Sequence, residues 1–252
     1  MNRIIIVLLC LFLGCRKDEN YNEYFIETYK DILQNSLNFT CEDLESGNFL
    51  KAEINNQKAC FFDGHNNNIL QFYFFERYIT SSPSTSGSKE KDFKGCIISI
   101  KPIESIKRQP YLLIEFPSLH KSTNNVSYLD SLFNIKDHMV ISNKDVIHSN
   151  DSDFVDIALE NYTGGFLKKF KIDLVIPNDS VGNVFVISSI FGDQSGSYVK
   201  ILNYKKTTER DGIYYNLELA FKCNLYHFPQ YGKSGLWSKL NNGVFVAKIK
   251  AD

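Results

Sequence analysis

The sequence is short of the features that most directly disclose a function. Its longest apolar run, Ile4 to Leu13, is half of what a helix needs to cross a bilayer about 30 Å thick. It holds no HExxH, no GxSxG and no CxxC, so helical zinc hydrolase, nucleophile elbow and zinc or dithiol motif all lack their residues. The five histidines, His65, His120, His138, His148 and His227, are scattered with no His-x-His or i,i+4 pair, and read as loop or surface residues rather than ligands. Gly232-Lys233-Ser234 has the ending of a phosphate loop, but His227 stands where the first Gly must be. Asp151, Asp153 and Asp156 alternate like calcium ligands, yet Asp156 and Tyr162 occupy the places where an EF-hand needs Gly and Glu. Nothing in the pattern points to a metal or cofactor. An excess of one charge is missing too: 28 basic against 29 acidic side chains, net −1, leaves no electrostatic footprint for nucleic acid or an anionic membrane. One enzyme class survives these absences. Carboxylate pairs for glycoside hydrolysis come from distant strands and leave no local motif, so a hydrolase whose acids converge only in the fold stays open.

What is present begins at the N-terminus. Asn2 and Arg3 precede the ten-residue apolar run, and the small Gly14 follows it, the layout of a secretory signal. Leu13-Gly14-Cys15 resembles the lipobox of bacterial lipoproteins, in which the cysteine receives the lipid and becomes the mature N-terminus. Arg16-Lys17-Asp18-Glu19 is similar to the export signal that sends Bacteroidota lipoproteins to the outer face of the outer membrane. The resemblance implies a signal peptide over 1–14, lipid attachment at Cys15, an export signal at Lys17, Asp18 and Glu19, and a tether over 15–20. It also implies a lipid-anchored, cell-surface protein of the outer membrane. It covers this stretch alone and carries no activity.

The remainder, 21–252, reads as one β-rich domain with an N-terminal helix. Over 21–37 the residues Tyr21, Tyr24, Phe25, Tyr29, Ile32, Leu33 and Leu37 recur at spacings of three and four, giving an amphipathic helix. From Gly47 onward the period changes to two. Aromatics make up 14% of the chain, with 20 Phe and 14 Tyr, and such residues suit pleated, half-buried surfaces. Asn55-Asn56-Gln57 turns Leu50–Ile54 into Ala59–Phe62 as a hairpin. Further strands are expected at Ile69–Phe75, Cys96–Lys101, Tyr111–Phe116, Phe154–Leu159, Phe170–Ile176, Val184–Phe191, Ser197–Tyr204, Tyr215–Leu225 and Val244–Lys250. In the longest, Tyr215, Leu217, Leu219, Phe221, Cys223 and Leu225 share one face. Ser127 to Asp130 reads as a capped single helical turn. Alternation without intervening helices predicts a mainly β, antiparallel sandwich or partly closed barrel with the one N-terminal amphipathic helix.

Cys41, Cys60, Cys96 and Cys223 remain after the lipidated one; outside the cytoplasm they permit two disulfides in three connectivities, or buried thiols. The stretch from Tyr226 to Asn242 reads as a loop, and Tyr226, Tyr231 and Trp237, the one tryptophan, make it the candidate for contact, since aromatics stack on sugars and peptides. The first strand, Gly47-Asn48-Phe49-Leu50-Lys51-Ala52-Glu53-Ile54-Asn55, is similar to the opening strand of Bacteroidota surface lipoproteins of this size. The expectation is a surface-anchored module that binds a glycan, a peptide or an envelope protein, with the hydrolase or an immunity-type or structural lipoprotein as alternatives.

Overall fold

Asn55 and Asn56 adopt φ of 50° and 65°, the left-handed pair that a two-residue hairpin turn needs and that asparagine tolerates best after glycine. They join β1 (Phe49–Ile54) to β2 (Gln57–Phe62) in the register Ile54↔Gln57 to Phe49↔Phe62, as the sequence predicts. In this computed structural model the described residues are 47–64, 68–79, 91–103, 110–120, 124–140, 142, 169–177, 184–227 and 235–251. They belong to the unit Phe39–Asp252. The helix expected over 21–37 and the strand expected at Phe154–Leu159 lie outside them.

The chain continues through β3 (Asn68–Ile79), β4 (Lys91–Pro102), β5 (Tyr111–Glu115), β6 (Leu119–His120), helix α1 (Asn125–Phe133) and β7 (Asp137–His138). Then follow β8 (Lys171–Pro177), β9 (Val184–Ser188), a 3₁₀ turn (Ser189–Phe191), β10 (Tyr198–Glu209), β11 (Gly212–His227) and β12 (Leu236–Lys250). Among the described residues these twelve strands form one sheet in the order β2-β1-β12-β11-β9-β8-β5-β4-β3, with β10, β7 and β6 off that path. Every strand pairing is antiparallel; Val140 and Phe170 add one parallel bridge. The mainly β, antiparallel expectation holds.

The sheet forks at β11. One edge of that strand pairs with β12 along nearly its whole length, while the other takes β10 up to Lys222 and β9 at Tyr226 and His227. One half-sheet is therefore β2-β1-β12-β11-β10, and the other β9-β8-β5-β4-β3. Tyr215, Leu217, Leu219, Phe221, Cys223 and Leu225 are all buried, as their alternation predicts, and each large apolar side chain buried this way is worth ~1.5–3 kcal/mol. In the other half-sheet, Ile98 and Ile100 of β4, Leu112 and Ile114 of β5, and Ile172 and Leu174 of β8 are buried as well. Gly243 lies directly beneath Phe221: a Cβ there would sit 2.6 Å from its ring.

Helix α1 joins the halves. Its N-cap is Asn124, whose side chain accepts the Ser127 N–H at 2.7 Å, so the expected cap at Ser127 is corrected by three residues. The helix begins a turn earlier than expected, so Ser127 falls within its first turn and Asn124, an equally good capping residue, takes the cap ahead of the buried stripe Tyr128, Leu129, Leu132 and Phe133. Phe133 packs at 5.5 Å from Tyr215 of β11 and 6.4 Å from Phe116 after β5, and Tyr128 at 6.0 Å from Phe74 of β3.

Several boundaries differ from expectation: β3 runs on to Ile79 rather than Phe75, β4 begins at Lys91 rather than Cys96, and β10 reaches Glu209 rather than Tyr204. Val184–Phe191 is a strand only to Ser188, where the chain turns off the β11 edge. Leu236–Asn242 belongs to β12 rather than a loop: register shifts between Phe221 and Cys223 and between Leu225 and Tyr226 throw its apolar residues out of alternation. Asn242 takes φ 50° there. Cys60 is disulfide-bonded, while Cys96 and Cys223 are free, buried thiols; burial pushes both thiol pKa values up.

Candidate functional site

Among the described residues the order of the sheet ends at β3, and no strand pairs with the far edge of β3. Its direction is fixed by two hydrogen bonds. The Asn68 carbonyl accepts from Gly64 N–H at 2.8 Å, and the Leu70 N–H donates to Asp63 Oδ1 at 2.9 Å. The register of β3 on β4 runs unbroken from Asn68 to Ile79, so the even-numbered residues direct their backbone groups away from β4. Leu70, Phe72 and Phe74 thus line the open edge.

A second edge faces it. The pairing of β1 with β12 starts at Phe49↔Val246, so the last residues of β12 extend past the end of β1. The Lys248 N–H points to that side and donates to Asn48 Oδ1 at 2.7 Å, while Ala251 N–H points the opposite way, to Ile213 of the β10–β11 hairpin. By the same parity Lys250 presents its N–H and carbonyl where Lys248 does.

Side chains bridge the two edges at one end. Asn48 accepts from Lys248, donates through Nδ2 to Asp63 Oδ2 at 2.8 Å, and Asp63 in turn accepts from Leu70. Two short polar side chains thereby stand where a strand would otherwise run. Beyond this bridge the edges part around a cleft of about 370 Å³, lined by Leu70, Phe72 and Phe74 of β3, Asn125 of α1 and Lys248, Ile249 and Lys250 of β12. That volume is at the small end of ligand sites. One wall is apolar and the other carries cations.

The cationic wall is charge-balanced. Lys248 Nζ lies 2.5 Å from Glu209 and 4.4 Å from the centre of the Tyr214 ring; Lys250 Nζ lies 3.7 Å from Asp211 and 5.9 Å from the same ring. Tyr214 donates to Asp211 at 2.6 Å, and this bond, with Lys250 beside it, holds the Asp211 carboxyl below the usual carboxylate range. A ligand therefore meets polarity and aromatic surface here without a large net charge. No family model, no curated protein and no solved structure matches the chain. The cleft has to be read from its own chemistry.

The residues singled out from sequence are placed elsewhere. Cys15, Lys17, Asp18, Glu19 and Tyr231 lie outside the described residues. Tyr226 is half-buried at the end of β11 and donates to the Asp193 carbonyl at 2.8 Å. Trp237 is buried, 7% exposed, and its Nε1 has no hydrogen-bond partner. It fills the sheet rather than offering a stacking surface, because Leu236–Asn242 is strand. His138, expected on the surface, is also buried: its Nε2 lies 3.2 Å from the Leu132 carbonyl and its ring 4.9 Å from that of Phe170. Burial lowers its pKa, against the opposing pull of the Leu132 and Ile135 carbonyls. His227 accepts from the Gly235 N–H at 3.1 Å.

A second cluster bears on the hydrolase alternative. On β5, β8 and β9, Lys171 Nζ lies 2.9 Å from Asp173 and 3.9 Å from Glu115, and Ser188 donates to Asp173 at 2.5 Å. Two carboxylates do converge in the fold, as that alternative requires. Both side chains are below a tenth exposed, and the one ammonium between them offsets one of the two negative charges, lying closer to Asp173. In this arrangement their chemistry is to tie three strands together, since breaking a buried pair leaves an uncompensated charge.

Leu70, Phe72, Phe74, Asn48 and Asp63 were missed as site residues. The alternation of β3 is visible in sequence, but an open edge is a property of what pairs with it. The one local signal was Asp63-Gly64, a turn whose acid is free to cap an edge.

Proposed function

We propose that this chain is a lipid-anchored binding module of the outer cell surface, with the cleft between β3 and β12 as its contact site. The anchor rests on Leu13-Gly14-Cys15, and surface exposure on the Lys17-Asp18-Glu19 tether. The observation that carries the binding role is the cleft itself: an aromatic and aliphatic wall opposite hydrogen-bonding groups that already have their side-chain positions fixed. Ligand pockets combine such apolar lining with a few placed polar groups.

The anchor is tested by Cys15→Ser, which should abolish lipid labelling and release the protein from membranes; continued labelling would sink it. The site is tested by Leu70→Trp, which puts an indole into the cleft. Screened against glycan, peptide and envelope-protein arrays, this variant should lose the ligand that the parent binds while melting within a few degrees of it. Undiminished binding would remove the cleft from consideration.

A further inference from the structure

We infer that the cleft takes an extended peptide as an added β-strand between β3 and β12. This rests on the binding role proposed above and names its ligand class.

The argument is one of backbone complementarity. Phe72 and Phe74 on one side, and Lys250 on the other, direct N–H and C=O groups toward the cleft by the parities already established, and among the described residues neither edge has a ladder partner there. Adjacent strands stand about 4.8 Å apart, so a strand placed between two others needs its neighbours at roughly twice that spacing. The Asn48–Asp63 bridge marks such a gap: two side chains and three hydrogen bonds of 2.7, 2.8 and 2.9 Å are needed to cross it. The bridge satisfies the Lys248 and Leu70 amides at the closed end. The next groups along both edges are left for a ligand, and addition of a strand to an exposed edge is a general mode of peptide recognition.

The side chains specify the peptide further. Successive residues of a strand face opposite ways. Those turned inward would meet Leu70, Phe72, Phe74 and Ile249 and must be apolar. Those turned outward would meet Tyr73, which is 48% exposed, and the Lys248 and Lys250 chains, and are polar. Alternation over about five residues, matching Leu70 to Phe74, is the expected motif, with main-chain bonds supplying affinity and the inward side chains selectivity.

The test is selection from a phage-displayed library of random linear decapeptides against the full chain carrying Cys15→Ser, followed by synthesis of the winning peptide. Its binding should depend on the Lys250 amide: Lys250→Pro, which removes the N–H at an edge that tolerates proline, should weaken binding at least tenfold more than Lys250→Ala, which keeps the N–H and loses only the side chain. Backbone N-methylation of the peptide should abolish binding at alternate positions and be tolerated between them. Amide exchange at Phe72, Phe74 and Lys250 should slow on binding. A peptide that binds Lys250→Pro as tightly as the parent but is lost in Leu70→Trp would overturn strand addition while keeping the cleft as a site. Failure to select any peptide, alongside a glycan that binds the parent and not Leu70→Trp, would overturn the inference and leave the binding module standing.

Discussion

The two half-sheets meet at two seams, and the molecule treats them differently. At the first, where β9 leaves β11 and β10 takes its place, a side chain bonds to the main chain on both sides of the gap. Gln194 fills the fork: its Nε2 donates to the Ser189 and Asn224 carbonyls at 2.7 Å each, and its Oε1 accepts from Asn224 N–H at 3.0 Å and Ser197 Oγ at 2.8 Å. Farther along, β7 pairs with β10 and Val140 bridges Phe170 at the start of β8, so main chain crosses this side again. At the second seam, between β3 and β12, the Asn48 and Asp63 side chains cross, and among the described residues no strand pairing does; a cleft opens beyond them. Unpaired strand edges are normally covered or blunted. One seam is built as structure; the other keeps its hydrogen-bonding capacity unspent.

The difference can be broken from the closed side first. Gln194→Ala removes all four bonds and leaves the buried Ser189 carbonyl and the part-buried Asn224 amide and carbonyl without this partner, a fully buried group costing ~1–3 kcal/mol. A loss of about 2–4 kcal/mol in urea unfolding is expected, a large part of a domain's usual stability; a loss under about 1 kcal/mol would show that water replaces the side chain and that the fork is not held by it.

Acid should act on the same seam. His138 lies on β7 against Phe170, and its folded pKa is below its ordinary value of 6.5, so the unfolded chain binds its proton more readily. The stability contributed by its neutral form is complete above pH 6.5 and is lost as pH falls from there through the folded pKa, at no more than ~1.4 kcal/mol per pH unit for one group. Unfolding of the parent and of His138→Gln, compared between pH 7.5 and 5.5, should show a smaller decline in the variant. Parallel declines would assign the acid sensitivity elsewhere.

The smallest effect is expected at the open seam. Asp63 and Asn48 are solvent-exposed partners, so Asp63→Ala should cost only about 0.5–1.5 kcal/mol, the worth of ordinary hydrogen bonds. It should nonetheless speed amide exchange at Leu70 and Lys248. If it destabilised as much as Gln194→Ala, the two seams would be equivalent and the contrast would fall.

Much of this architecture is legible in the residues. The β1–β2 turn follows from Asn55-Asn56, and the buried row of β11 from six apolar side chains at strict alternation. Both are local consequences of backbone preference and side-chain period. The site was not legible in the same way. Trp237 looked like a contact residue because it is an aromatic in a stretch, Tyr226 to Asn242, that reads as a loop, whereas Leu236–Asn242 pairs with β11 across two register shifts and is strand. His138 gave no sign of burial, because what buries it is Phe170, more than thirty positions away in the chain.

By itself the sequence determined the mainly β, antiparallel class and the segments that alternate, because side-chain period is a property of each strand alone. It also holds the Leu13-Gly14-Cys15 resemblance on which the proposed anchor rests. Only the tertiary structure decided which edges pair, which cysteines stay as thiols, and that Glu115 and Asp173 share one lysine. It likewise decided that Leu70–Phe74 and Lys248–Lys250 face each other across a gap. An unpaired edge is defined by the absence of a neighbour, and neighbours are set by long-range pairing that no local pattern encodes.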